Sequence, residues 1–113
     1  MIELQLIEES QIVKNYSILD FKQGENYYYL KAQISFQDNS CLMIRVFMSE
    51  DDYNYSFHWQ DINEELIIRW DNSPHHKDIS TYPHHKHVEG MTKPSKEISL
   101  KEVMKFIEKQ MIT

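Results

Sequence analysis

From Tyr27 to Gln37 the chain alternates without a break. Tyr28, Leu30, Ala32, Ile34 and Phe36 lie on one face, and Tyr29, Lys31, Gln33 and Ser35 on the other. That is the two-residue period of a strand with one buried side. The apolar face resumes at Leu42, Ile44, Val46 and Met48. A three-residue loop, Gln37-Asp38-Asn39 with Asn39 left-handed, sets Phe36 opposite Ser40, Ile34 opposite Leu42 and Ala32 opposite Ile44. Apolar then meets apolar along a hairpin. The same register puts Lys31 directly across from Arg45, and like charges facing each other on a sheet are destabilising without a partner. Either the two side chains splay into water or pair with Glu25 or Glu50, or they bind a phosphate.

A second hairpin follows the acidic break Ser49-Glu50-Asp51-Asp52. Tyr53, Tyr55, Phe57 and Trp59 share one face, and the next strand offers Leu66, Ile68 and Trp70. With Asp61 to Glu64 as the loop, Trp59 faces Leu66, Phe57 faces Ile68 and Tyr55 faces Trp70, an aromatic core ladder. Ser56 then faces Arg69, and Asn54 faces Asp71. On this reading His58, Ser56, Arg69 and Asp71 share the non-core face.

The flanks are less regular. Ile2, Leu4 and Leu6 alternate with Glu3 and Gln5, which reads as a short strand, followed by a helical turn over Ser10 to Lys14 and a further extended run from Tyr16 to Lys22. Gly24 is the expected positive-φ position of the next turn. Residues 89–94 read as a loop. Ser99 and Glu102 form a capping box, and Leu100, Val103, Met104, Ile107 and Met111 repeat as one helical stripe. The fold class that follows is α+β: a mostly antiparallel β-meander of four to six strands with a C-terminal α-helix packed on one face.

At 113 residues the chain is long enough for one core, so residues 1–113 form a single domain. No apolar run reaches the roughly 20 residues a membrane span needs, and the acidic start lacks the basic flank of a signal peptide, so cytoplasmic residence is the default. A net charge of −6 argues against broad, backbone-driven nucleic-acid binding but leaves room for a local basic groove. The single Cys41 forms no internal disulfide.

Between Arg69 and Gly90 stand five of the six histidines: His75, His76, His84, His85 and His87. They fall in two near-copies of one unit, Pro74-His75-His76-Lys77 and Pro83-His84-His85-Lys86. Each is opened by a proline that fixes its own φ and biases the residue before it toward extended geometry. Imidazole titrates near neutrality, so such a group supplies acids, bases and metal ligands.

Three chemistries fit. The first is a zinc or other divalent-metal site, for which His85-Lys86-His87 is the strongest local signal, with His75, His76 or Asp71 as a third ligand. The second is metal-independent RNA cleavage. One histidine would deprotonate a ribose 2′-hydroxyl, another would protonate the leaving oxygen, and an arginine or lysine would stabilise the charged phosphorane. Asp71 would orient one imidazole. The third is a partner-binding surface that breaks no bond, using the histidines with Trp70 and Tyr82.

The runs Tyr28-Tyr29-Leu30-Lys31-Ala32 and Tyr55-Ser56-Phe57-His58-Trp59-Gln60-Asp61 resemble the TumE family, as above all do Arg69-Trp70-Asp71-Asn72-Ser73-Pro74-His75-His76 and Pro83-His84-His85-Lys86-His87. The resemblance runs from about Tyr27 to the C-terminal helix, and the segment up to Lys22 contributes little to it. It implies a small cytoplasmic toxin of a toxin–antitoxin pair, held by a cognate antitoxin that is often a helix-turn-helix protein. The matching positions are Arg69, Asp71, His75, His76, His84, His85 and His87, the candidate catalytic set. Lys31, Arg45 and His58 are the candidate substrate-binding residues. Metal-free ribonuclease chemistry on RNA is the leading expectation, with no required cofactor, and a metal-binding or partner-binding module is the alternative.

Overall fold

The computed structural model describes residues 1–112. Helix α1 (Ile2–Glu9) leads into seven strands, β1 (Val13–Gln23), β2 (Tyr27–Phe36), β3 (Cys41–Ser49), β4 (Tyr53–Gln60), β5 (Leu66–Asp71), β6 (His85–Val88) and β7 (Met91–Pro94), and helix α2 (Leu100–Ile112) closes the chain. The strands form one antiparallel sheet in sequence order, β1 to β7. Four to six strands were expected. The seventh arises because residues 85–94 close a hairpin instead of a loop. Glu89 and Gly90 take φ of 53° and 73°, the paired left-handed geometry of a two-residue turn whose twist matches its strands.

Both helices lie on one face of the sheet. Leu30, Ile34, Leu42, Ile44, Phe57, Trp59 and Trp70 are buried there with Leu100, Val103 and Ile107 of α2 and Ile7 of α1. Phe106 sets its ring edge-on to Trp59 and Trp70, with centroids 6.3 and 5.7 Å away. The Ser99–Glu102 capping box opens α2 as expected, the Ser99 amide donating to the Glu102 carboxylate at 3.1 Å and the Glu102 amide to the Ser99 hydroxyl at 3.5 Å.

The first hairpin has the expected register, Ile34 opposite Leu42 and Lys31 opposite Arg45, with Asn39 at φ 67°. Three expectations are corrected. The N-terminal segment is a helix, not a strand. Glu3 and Ile7, one turn apart, form its buried side, and Tyr28 donates to the Glu3 carboxylate at 2.7 Å. The edge position is taken by β1, which begins where a helical turn was read, so residues 2–9 satisfy their own backbone. Gly24 is not at positive φ; it lies under the Tyr27 ring, where an added Cβ would come within 2.3 Å of a ring carbon.

The β4–β5 register is shifted by two residues. Asp61 accepts amides from Asn63 and Glu65 at 2.9 and 3.0 Å, which lengthens the loop by one residue, and a bulge before Ile68 adds the other. Trp59 therefore faces Ile68 and Phe57 faces Trp70. Each side chain stays on its expected face because the shift is even.

Candidate active site

On the face away from the helices, the shifted register builds two rows that are polar except at Met43. One runs Lys31, Arg45, Ser56, Asp71, His85 from β2 to β6, and beside it run Met43, His58, Arg69, His87, Thr92 from β3 to β7. Alternation selects these residues, since the odd and even members of each strand separate the core from this face.

Asp71, only 3% exposed, is the hub. One oxygen accepts from the Ser73 amide at 3.0 Å, the Ser73 hydroxyl at 2.7 Å and His85 Nε2 at 2.9 Å. The other accepts from Arg69 Nε at 3.1 Å and has His87 Nε2 at 3.7 Å. Burial pushes this carboxyl up, but the bonds from Ser73 and Arg69 and the charge of His85 outweigh it and hold the group below its ordinary range. His85, buried like Asp71, donates its other nitrogen to the Pro83 carbonyl at 2.9 Å. Both its nitrogens thus face oxygen acceptors.

His76 and His87 complete the cluster and are half-buried. Ring centroids lie 4.7 Å apart for His76 and His85, 4.9 Å for His85 and His87 and 5.5 Å for His76 and His87. His87 Nδ1 bonds the Thr92 hydroxyl at 3.2 Å. Burial is the main cause that lowers the proton affinity of His87; nearby Asp71 opposes it, while His85, His76 and Arg69 add to it. His58 is lowered as well, first by burial and then by Arg69, whose Nη1 donates to its Nδ1 at 3.3 Å. A neutral ring with a free Nδ1 lone pair meets that donor.

Beside the cluster, Lys31, Arg45 and Arg69 surround a cleft of about 290 Å³ floored by Ser56 and His58. Among the described residues neither Lys31 nor Arg45 is in an ion pair. The pairing with Glu25 or Glu50 weighed from sequence is not made.

Of the ten residues singled out in the sequence, the structure brings Arg69, Asp71, His76, His85 and His87 into contact and sets His58, Arg45 and Lys31 beside them. His75 is exposed and lies outside the cluster. His84 points to the other side of the sheet, its Nδ1 2.9 Å from the Tyr55 hydroxyl and its ring stacked on Tyr55. The repeat thus has a simple reading: the second histidine of each Pro-His-His-Lys unit enters the cluster and the first does not. Ser73 and Thr92 were missed. The Asp71-Asn72-Ser73 spacing is an Asx-turn signature, and Thr92 becomes the partner of His87 once Glu89-Gly90 is read as a two-residue turn.

The imidazole nitrogens of His76, His85 and His87 all lie within 4.8 Å of one another. A tetrahedral zinc at ~2.05 Å from each nitrogen needs separations of roughly 3.4 Å, and in this arrangement both nitrogens of His85 are already turned to the oxygens of Asp71 and Pro83. Metal capture would require His85 to leave Asp71 or Pro83.

An antiparallel-sheet protein with a carboxylate-centred histidine and arginine cluster on its open face is the class these observations define. A protein-family model described as Toxin TumE matches residues 3–111, so the chain belongs to the TumE toxin family. The match takes in the N-terminal segment that added little to the resemblance read from the motifs. Membership implies a toxin component of a toxin–antitoxin system and, with it, a cognate antitoxin. No curated protein and no solved structure matches the chain. Among the described residues no helix is long and apolar enough to cross a membrane.

Proposed function

We propose that this toxin cleaves RNA on the open sheet face by metal-independent transesterification. The observation that carries the reading is the placement of two half-exposed imidazoles, His76 and His87, 5.5 Å apart beside a cleft of cationic side chains without carboxylate partners at Lys31 and Arg45. His87, whose lowered proton affinity keeps it neutral near pH 7, takes the proton of a ribose 2′-hydroxyl. The 2′-oxygen attacks the adjacent phosphorus, and His76 gives a proton to the departing 5′-oxygen. The products are a 2′,3′-cyclic phosphate and a 5′-hydroxyl end. Arg69 offsets the charge that develops on the phosphorane. The buried Asp71–His85 pair is a positioning device that holds Arg69 and the neighbouring rings. His75 and His84 stand outside this set.

The test is cleavage of RNA by untagged protein in chelator, beside His87→Ala with its melting temperature checked. Loss of about 10²-fold or more in a folded variant is expected for removal of an acid–base group. An inactive parent, or an equally active variant, overturns the reading.

The mutual approach of the nitrogens of His76, His85 and His87 favours a second reading, a divalent metal bound after His85 rotates. Stoichiometric metal in untagged protein, lost in His85→Ala, would establish it. Under either reading the partner is a cognate antitoxin, of the helix-turn-helix type that the resemblance implies.

A further inference from the structure

A second cleft on the open face, about 360 Å³ and lined by Tyr29, Phe47, Asn54 and Pro74, adjoins the basic one and shares Arg45 and Ser56 with it. Its chemistry differs. Tyr29, Phe47 and Asn54 form the next cross-strand row beyond Lys31 and Arg45, and Tyr27 stacks on Phe47 with centroids 5.9 Å apart and planes at 24°. Tyr27 is exposed although it is large and aromatic. Asn54 lines this cleft and is exposed, and its side-chain amide has no hydrogen-bond partner among the described residues. Arg45, unpaired, stands at the boundary.

Resting on the reading of the open face as a phosphate-directed RNA site, we infer that this aromatic cleft is a nucleobase subsite for single-stranded RNA. Two residues along β3 from Arg45 to Phe47 span about 7 Å, the scale of one nucleotide step in an extended strand. A strand crossing the sheet from the histidine cluster therefore places a phosphate at Arg45 and the attached base against Phe47 and Tyr29. Stacking on a ring accepts any base, and the Asn54 amide reaches the base edge. The substrate class is unpaired RNA, because a base held in a duplex presents no free face to a ring.

The probes are a short 2′-O-methyl oligouridylate, which lacks the nucleophilic hydroxyl and is not cleaved, and an abasic oligomer with the same number of phosphates. Binding of each is measured by fluorescence anisotropy. The oligouridylate is expected to bind about tenfold more tightly than the abasic chain, from the worth of one stacked base. Phe47→Leu, which keeps apolar volume without the ring, closes that gap, and Phe47→Tyr restores it. Equal affinity of the parent for both oligomers, or a gap unchanged in Phe47→Leu, overturns the subsite while leaving phosphate binding intact. Failure of both oligomers to bind the parent overturns the phosphate-directed reading and the subsite with it.

Discussion

Asp71 accepts four bonds, three at one oxygen and one at the other, and its burial makes each of them consequential. Removing one member of a buried ion pair leaves the other uncompensated, so Asp71→Ala is expected to cost about 3–5 kcal/mol, read by urea denaturation. The titrating groups around it give the molecule a two-stage response to acid. His87 and His58 are both held below their ordinary value of 6.5 when folded. The unfolded chain therefore binds more protons as pH falls through 6.5, and stability declines from there down to their folded values. Asp71 is held below 3.8, so its contribution is complete above that pH and is lost as pH drops through its lower folded value. Melting temperature against pH should show both declines, with the upper one reduced in His58→Gln and in His87→Gln. A flat profile between pH 7 and 5 would sink this account. At this scale the sequence disclosed the chemistry but not the sorting: nothing in the string separates His76 and His85 from His75 and His84, because the division depends on the path of the loop between β5 and β6.

The hairpin of β6 and β7 carries His85 and His87, and its turn requires two consecutive left-handed residues. Gly90 at φ 73° adopts that conformation freely, whereas alanine pays roughly 1–2 kcal/mol for it. Gly90→Ala is therefore expected to lower stability by about that amount and to reduce cleavage with it, although an added methyl would touch nothing within 4 Å. Circular-dichroism melting of the variant checks the first part and the RNA assay the second. Elements with one clean period were legible: β2, β3 and the face assignments of β4 and β5 followed from alternation, and α2 from its capping box and stripe. The N-terminal segment misled because Ile2, Leu4 and Leu6 satisfy a strand period, while the helical pair Glu3 and Ile7 includes a charged residue that is buried only because Tyr28 bonds it. Bulges carry no such period. One of the two residues of shift between β4 and β5 comes from such a bulge and the other from the longer Asp61 loop, and together they decide that His58 meets Arg69 and that Ser56 meets Asp71.

For the molecule as a whole, the opposition is between a net charge of −6 and an open face whose central cleft is cationic. Eight of the 18 acidic residues lie away from the cleft, at Glu50, Asp51 and Asp52 and on the two helices, while Asp71 sits within the open face and Asp20 pairs across from Lys31, so long-range attraction of RNA is weak and binding depends on local contacts. Such binding has a measurable signature. If Lys31, Arg45 and Arg69 each neutralise one phosphate, the log of the binding constant for a single-stranded oligomer should fall with log salt at a slope of about −2, from ~0.7 per contact. Arg45→Ala should weaken binding and bring the slope to about −1.4. Phe47→Leu should weaken binding to bases without changing the slope, because stacking releases no counterions. A slope near zero for the parent would mean that phosphates do not reach the cleft. Identical slopes for parent and Arg45→Ala would mean that they bypass β3, and the strand path from the histidines to the aromatic cleft would then be wrong.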